Sequence, residues 1–177
     1  MKRLNVLLSA GALLVSSGAA IAQTSGVDVT PYSFSFKLGG LFAANDGLRD
    51  VEKVWWAVGA DYTFKTQFLK NSETFFSVDY NASNASTKKG SFWPVMINQR
   101  FFTNEGGIDG MDRTYFTLGL GAFVFDITGT ETVFGGRIGV GRELGEHIFV
   151  EGNFFYSDVV PGGVRATSAG FYLGYRF

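Results

Sequence analysis

The 177-residue sequence contains no cysteine and only 3 prolines. Without cysteine, the chain has neither a disulfide scaffold nor a thiolate metal site. An excess of one charge is also missing, because 15 lysines and arginines nearly balance 16 aspartates and glutamates; we therefore predict no nucleic-acid partner. After residue 22, no stretch has the roughly 18 consecutive apolar residues that a membrane helix needs. If the remaining chain spans a membrane, it does so with strands.

The N-terminus has the pattern of a secretory signal peptide. Met1-Lys2-Arg3 forms a short basic start, an apolar run extends from Leu4 to Ala20, and Ala20-Ile21-Ala22 supplies the small residues of a cleavage site. Serine, glycine and asparagine interrupt the run and no basic cluster follows it, which favours cleavage over a membrane anchor. We predict a signal peptide over 1–22 and one domain over 23–177.

Apolar and polar residues then alternate with a period of two from Tyr32 almost to the end of the chain. This alternation predicts strands. Eight such runs are separated by turn-forming segments, and no helical periodicity occurs between them. Each run is close to the 9–11 residues that cross a bilayer at a tilt, and bacterial membrane barrels use even strand numbers from eight upward. The predicted fold is all-β, an eight-stranded antiparallel up-and-down transmembrane β-barrel.

Side-chain size indicates which face of the barrel points outward. The apolar set holds too many large side chains for an eight-stranded interior, which is only just wide enough to be filled. The polar set is dominated by glycine, serine, alanine and threonine, whereas a soluble barrel normally carries lysine and glutamate on its surface. We therefore predict that the apolar face meets lipid and exclude a soluble lipocalin-like carrier.

The predicted inward face carries charges of both signs. Buried ions are tolerated only when they are paired, so these side chains are expected to form a network inside a largely filled lumen. The alternative is a selective conduit lined by the same charges. The predicted lumen charge network consists of Lys37, Asp61, Lys65, Asp79, Arg100, Arg137, Glu151 and Arg176.

The closing sequence Gly170-Phe171-Tyr172-Leu173-Gly174-Tyr175-Arg176-Phe177 places aromatic and apolar residues on alternate positions. With the signal peptide and the eight strands, this ending resembles the small bacterial outer-membrane barrels, such as the transmembrane domain of outer membrane protein A and outer membrane protein X. The resemblance implies an outer-membrane location, with membrane lipid and the barrel-assembly machinery as partners. It also implies that Phe171, Tyr175 and Phe177 form the C-terminal assembly signal.

The resemblance places both termini in the periplasm and therefore identifies the outward loops. These loops, near Asn45–Asp50, Ala82–Gly90, Thr128–Thr130 and Val159–Arg165, are short, whereas the predicted periplasmic turn Asn104–Asp112 is long. Family members usually show the opposite relation. Short outer loops weaken the hypothesis of surface adhesion or ligand binding through them.

The sequence offers little for catalysis or metal binding. Some small outer-membrane barrels remodel lipid A, but His147 and Ser157 lie at opposite ends of one predicted strand, about 30 Å apart at 3.3 Å per residue. We therefore predict no enzyme activity. The oxygen-rich segment Asn104–Asp112 lacks the ligand spacing of an EF-hand and is interpreted as a solvated turn, so no metal or cofactor is predicted.

These patterns predict a mainly structural role in envelope integrity. Two alternatives are a narrow pore for water or small solutes and surface adhesion through the outer loops.

Overall fold

The computed structural model describes residues 33–64, 69, 72–84, 89–103, 112–127 and 129–177. The predicted signal peptide, Lys65 and residues 104–111 of the long turn lie outside these ranges. No helix in the described part of the chain has the length and apolar character needed to cross a membrane.

Eight strands close into one antiparallel barrel in which every strand pairs with its neighbours in sequence and β1 pairs with β8. This arrangement confirms the predicted fold. The strands are β1 Phe34–Ala43, β2 Val54–Thr63, β3 Ser72–Ala82, β4 Ser91–Phe102, β5 Thr114–Asp126, β6 Thr130–Glu143, β7 Ile148–Ser157 and β8 Ser168–Arg176.

The two ends of the barrel differ in the chain segments found there. At the terminal end, β1 begins and β8 ends, with Ser35 opposite Arg176. At the loop end lie the connections from β1 to β2, β3 to β4, β5 to β6 and β7 to β8. The first of these connections contains a one-turn helix, α1 (Asp46–Arg49). Sequence periodicity did not predict α1, because four residues are too few to produce a helical repeat.

The outer surface of the barrel is apolar and organised in bands. An aliphatic band encircles the middle, where Leu38, Leu120 and Val140 are each about two-thirds exposed. Aromatic side chains flank it on both sides. Those toward the terminal end include Phe34, Phe36, Tyr62, Phe116, Tyr175 and Phe177, and those toward the loop end include Trp56, Trp93, Phe134 and Tyr156. An apolar band between two aromatic girdles is the surface of a barrel that spans a membrane.

Candidate functional site in the barrel lumen

Charged side chains from seven strands and one turn meet in the lumen as a balanced set. Among the residues that the structure describes, five cations face five anions, and nearly all of them are buried. The cations are Lys37, Arg100, Arg113, Arg137 and Arg176, and the anions are Asp61, Glu73, Asp79, Glu143 and Glu151. Equal numbers of each sign allow every buried ion to have an opposite partner.

The central cluster is organised around Lys37. Its Nζ lies 3.0 Å from Asp61 Oδ1 and 3.0 Å from Asp79 Oδ1. Arg137 Nη1 lies 3.5 Å from Asp79 Oδ2, and Glu151 Oε1 is 3.9 Å from both cations. Each anion in this cluster therefore contacts at least one cation in a region without solvent exposure.

A glycine makes this contact between non-adjacent strands possible. Gly59 on β2 lies opposite Lys37 of β1 and also opposite Asp79 of β3. A Cβ at Gly59 would collide with both side chains, which meet over its bare backbone. The small residues of the inward face thus provide the space in which long charged side chains cross the lumen.

The terminal cluster fills the lumen at the end where the chain enters and leaves the barrel. Arg100 and Glu73 are cross-strand partners, with Nη1 3.2 Å from Oε2. Arg113 binds Glu143 through two hydrogen bonds, donated by Nε at 2.7 Å and by Nη2 at 2.9 Å. Arg176 also donates to Glu143. The bidentate geometry of the Arg113–Glu143 pair is among the strong forms of ion pairing.

Arg100 joins the two clusters and is held by aromatic rings. Its guanidinium lies 4.4 Å from the Phe75 ring centroid and 4.6 Å from that of Tyr115, so both rings make cation–π contacts with it. Its Nη2 lies 3.9 Å from Glu151 Oε2, and the Tyr115 hydroxyl donates to the same oxygen at 3.2 Å.

The structure places seven of the eight predicted network residues in this network, and Lys65 lies outside the described residues. Sequence analysis missed Glu73, Arg113 and Glu143 because they lie at or just beyond strand ends. Glu73 shares the inward parity of Asp79, and Glu143 shares that of Arg137. Extending the third predicted strand by two inward positions and the sixth by one would therefore have found them.

The loop end of the lumen has a different filling, which we call the apolar plug. The expectation that small residues dominate the inward face is wrong here, because large aromatic side chains occupy it. They are fully buried and interdigitate, with Phe92 stacked on Phe125 and edge-on to Trp55. The plug comprises Leu41, Leu48, Trp55, Ala57, Phe92, Met96, Phe123, Phe125, Phe155, Val160, Val164, Ala166 and Tyr172.

Two loops cover the plug and contribute to it. Leu48 enters from α1, while Val160 and Val164 enter from the connection between β7 and β8. Asn45 joins these loops, since its Oδ1 accepts hydrogen bonds from Leu48 N at 3.2 Å and Arg165 N at 3.1 Å. The described parts of these two loops therefore fold over the lumen.

Some buried polar atoms in the lumen have no hydrogen-bond partner among the described residues. They include Arg100 Nε, Arg137 Nη2, Thr117 Oγ1 and the Tyr172 hydroxyl. Such atoms are suited to hydrogen bonding with water. Most of them occur in the polar part of the lumen, and the Tyr172 hydroxyl belongs to the plug, whose other side chains offer almost no polar group.

The remaining candidate residues lie where the sequence predicted. His147 and Ser157 flank opposite ends of β7, with His147 stacked on Tyr175 and Ser157 Oγ accepting from Ala166 N at 2.9 Å. Phe171, Tyr175 and Phe177 all lie on the outer face. Within the described ranges, no cluster of histidine, aspartate and glutamate has the arrangement of a metal site.

No protein-family model and no curated protein sequence matches this chain. Solved structures do resemble it. The outer membrane protein Ail of Yersinia pestis, determined in a phospholipid bilayer nanodisc, has a TM-score of 0.53 at 14% identity, covering 82% of this chain and 99% of Ail. The N-terminal β-barrel domain of Pseudomonas aeruginosa OprF has a TM-score of 0.51 at 16% identity, covering 82% and 98%. The chain has the fold of the small eight-stranded bacterial outer-membrane β-barrels.

Proposed function

We propose that this protein is a structural barrel of the bacterial outer membrane whose lumen is closed to ions. The observation that carries the proposal is that buried side chains occupy both halves of the lumen, the ion-paired clusters toward the terminal end and the apolar plug toward the loop end. Eight strands enclose a space that side chains can fill completely. The aliphatic band and its two aromatic girdles support anchoring in lipid.

Insertion is proposed to use the barrel-assembly machinery, with Phe171, Tyr175 and Phe177 as the recognised residues. Their outward position leaves them accessible to another protein before lipid surrounds the barrel. Replacing Phe177 with alanine is expected to slow insertion by the purified machinery while spontaneous folding in detergent continues. Equal insertion of both proteins would exclude this role.

The test of the closed lumen is conductance in a planar bilayer. The chain from residue 23 is refolded in detergent, its folding is confirmed by a heat-dependent gel shift, and currents are recorded. The expected result is a folded barrel without discrete openings. Opening events in the unaltered protein would contradict the proposal.

A double variant shows whether the plug is the barrier. Phe92→Ala with Phe155→Ala removes two buried rings and is expected to produce currents, because the plug is the part of the lumen with few polar atoms for water to contact. The matched control is Leu118→Ala with Leu120→Ala, which shortens two exposed side chains on the outer face. If neither folded variant conducts, the charged clusters rather than the plug are the barrier to ions.

A narrow pore for water or small solutes is the second candidate. The buried polar atoms without partners favour it, because they offer sites for a line of water molecules. Under this hypothesis the unaltered barrel conducts, and Arg100→Ala or Arg137→Ala changes its ion selectivity.

Adhesion through the outer loops stays a prediction, which a binding assay after replacement of residues 158–167 would test.

A further inference from the structure

A cleft of about 370 Å³ lies outside the barrel at the loop end, beside the connections from β3 to β4 and from β5 to β6. Its volume is within the range of small-molecule sites. The lining combines two chemistries. Trp56 and Tyr80 belong to the aromatic surface near the membrane boundary, and the polar residues Ser83, Lys89, Ser91 and Asp126 lie beside them.

The aromatic side of the cleft is held in place by ring packing. Trp56 contacts Tyr80 edge-on with centroids 5.2 Å apart, and Tyr80 contacts Trp93 at 4.3 Å. These three rings come from three adjacent strands, and Trp56 remains 42% exposed. A fixed and exposed indole presents an electron-rich face to a ligand.

The polar side is also preorganised. Ser83 N donates to Gly90 O at 3.0 Å, and Gly90 N donates to Ser83 Oγ at 3.0 Å. Ser91 and Asp126 are paired in the register of β4 and β5. These hydrogen bonds and this pairing fix the backbone at Ser83, Gly90, Ser91 and Asp126. Ligand binding to these residues therefore requires little further ordering of them.

The charges of the cleft favour a neutral polyhydroxyl ligand over an anion. Lys89 supplies a cationic donor and Asp126 an anionic acceptor, and neither has an ion-pair partner among the described residues. A sugar hydroxyl both donates and accepts, so it can use both groups, while the C–H face of a pyranose ring packs on Trp56. A phosphate would meet the like charge of Asp126.

We propose that this cleft binds the saccharide headgroup of a membrane glycolipid. The position of the cleft at the aromatic girdle places it at the depth of lipid headgroups, where acyl chains attached to the sugar lie along the apolar band. This assignment rests on the proposed membrane location.

The test uses the refolded barrel in phosphatidylcholine nanodiscs that contain either digalactosyl diacylglycerol or phosphatidylglycerol. Native mass spectrometry then counts the lipids that stay bound to each barrel. Preferential retention of the galactolipid is expected. Trp56→Leu is expected to weaken retention roughly fivefold and Asp126→Asn roughly tenfold, from loss of the aromatic surface and of a charged hydrogen-bond acceptor.

The matched control is Phe134→Leu, which removes an exposed aromatic ring of the same girdle on β6, away from the cleft. It is expected to retain the galactolipid fully. Equal loss in this control and in Trp56→Leu would overturn the proposal, as would equal retention of both lipids. Preferential retention of phosphatidylglycerol that disappears in Lys89→Gln would identify an anion site and also overturn it.

Folding is measured separately, by the heat-dependent gel shift of every variant. A barrel that folds and enters the nanodisc without selective retention refutes the glycolipid site alone. A chain that does not enter the nanodisc refutes the proposed membrane barrel.

Discussion

The two halves of the lumen obey the same alternation of strand residues but are filled in opposite ways. Toward the terminal end, long charged side chains meet over glycines, as Lys37 and Asp79 do over Gly59. Toward the loop end, aromatic rings such as Phe92 and Phe125 pack face to face beneath two loops. The polar half requires each ion to be matched, whereas the apolar half requires only that volume be filled.

This difference predicts how each half responds to change. A buried ion pair adds little net stability relative to apolar residues, but removing one partner leaves the other ion uncompensated. An apolar core instead loses stability in proportion to the cavity that a substitution creates. The polar half is therefore sensitive to the identity of single residues, and the plug to their size.

The largest effect is expected from Arg137→Ala. The change removes the cation 3.5 Å from Asp79 and the donor that binds Asn98 Oδ1 at 2.8 Å. Loss of one partner from a buried ion pair lowers the free energy of unfolding by about 3–5 kcal/mol. Urea unfolding of the barrel in lipid vesicles measures this loss of unfolding free energy. Arg49→Ala, which removes the exposed pair with Asp46, is the control and is expected to leave stability unchanged. An equal effect of both variants would contradict the distinction.

Phe123→Ala probes the apolar half. Phe123 is fully buried in the plug and contacts Phe155 edge-on with centroids 6.2 Å apart. The resulting cavity is expected to lower the free energy of unfolding by about 3 kcal/mol, measured by the same urea titration. Val124→Ala, one residue along the strand and on the opposite face, should cost clearly less. If it costs as much, the plug is not a packed core.

Gly141→Ala tests whether glycines make room for the charged network. Tyr115 lies over Gly141, and an added Cβ would collide with the Tyr115 ring and displace it from Glu151. Crowding of this kind costs about 1–3 kcal/mol of unfolding free energy. The control is Gly152→Ala, where the nearest atom lies 3.9 Å from the added Cβ. Similar urea midpoints for the two variants would show that Tyr115 adapts without cost.

The smallest effect is expected from Asn45→Ala. Asn45 caps α1 through Leu48 N and joins it to the other loop through Arg165 N. Loss of a helix N-cap costs about 1 kcal/mol. Hydrogen exchange should show faster exchange at these two amides, with the exchange of strand amides unchanged. Uniformly faster exchange throughout the barrel would mean that the loops are part of one cooperative unit with the plug.

Much of the fold could be predicted from the sequence because its signal is local. The alternation assigns Phe34, Phe36 and Leu38 to the outer face, and the opposite parity of Lys37 assigns it to the lumen. Phe123 and Phe125 share the inward parity and indicate the aromatic plug, but the small residues at most other inward positions obscure this signal. The one-turn helix lies where the alternation stops, whereas Glu73 and Glu143 keep the inward parity but lie beyond the predicted strand ends.

The sequence by itself determined the strands, their two faces and the closed barrel, because a period of two is a property of neighbouring residues. Only the tertiary structure decided which charges meet. Lys37 reaches Asp79 because strand register sets Gly59 between them, and register depends on how all eight strands close together. Tertiary structure alone also brings Leu48 and Val164 from separate loops into the plug, since no sequence period connects them.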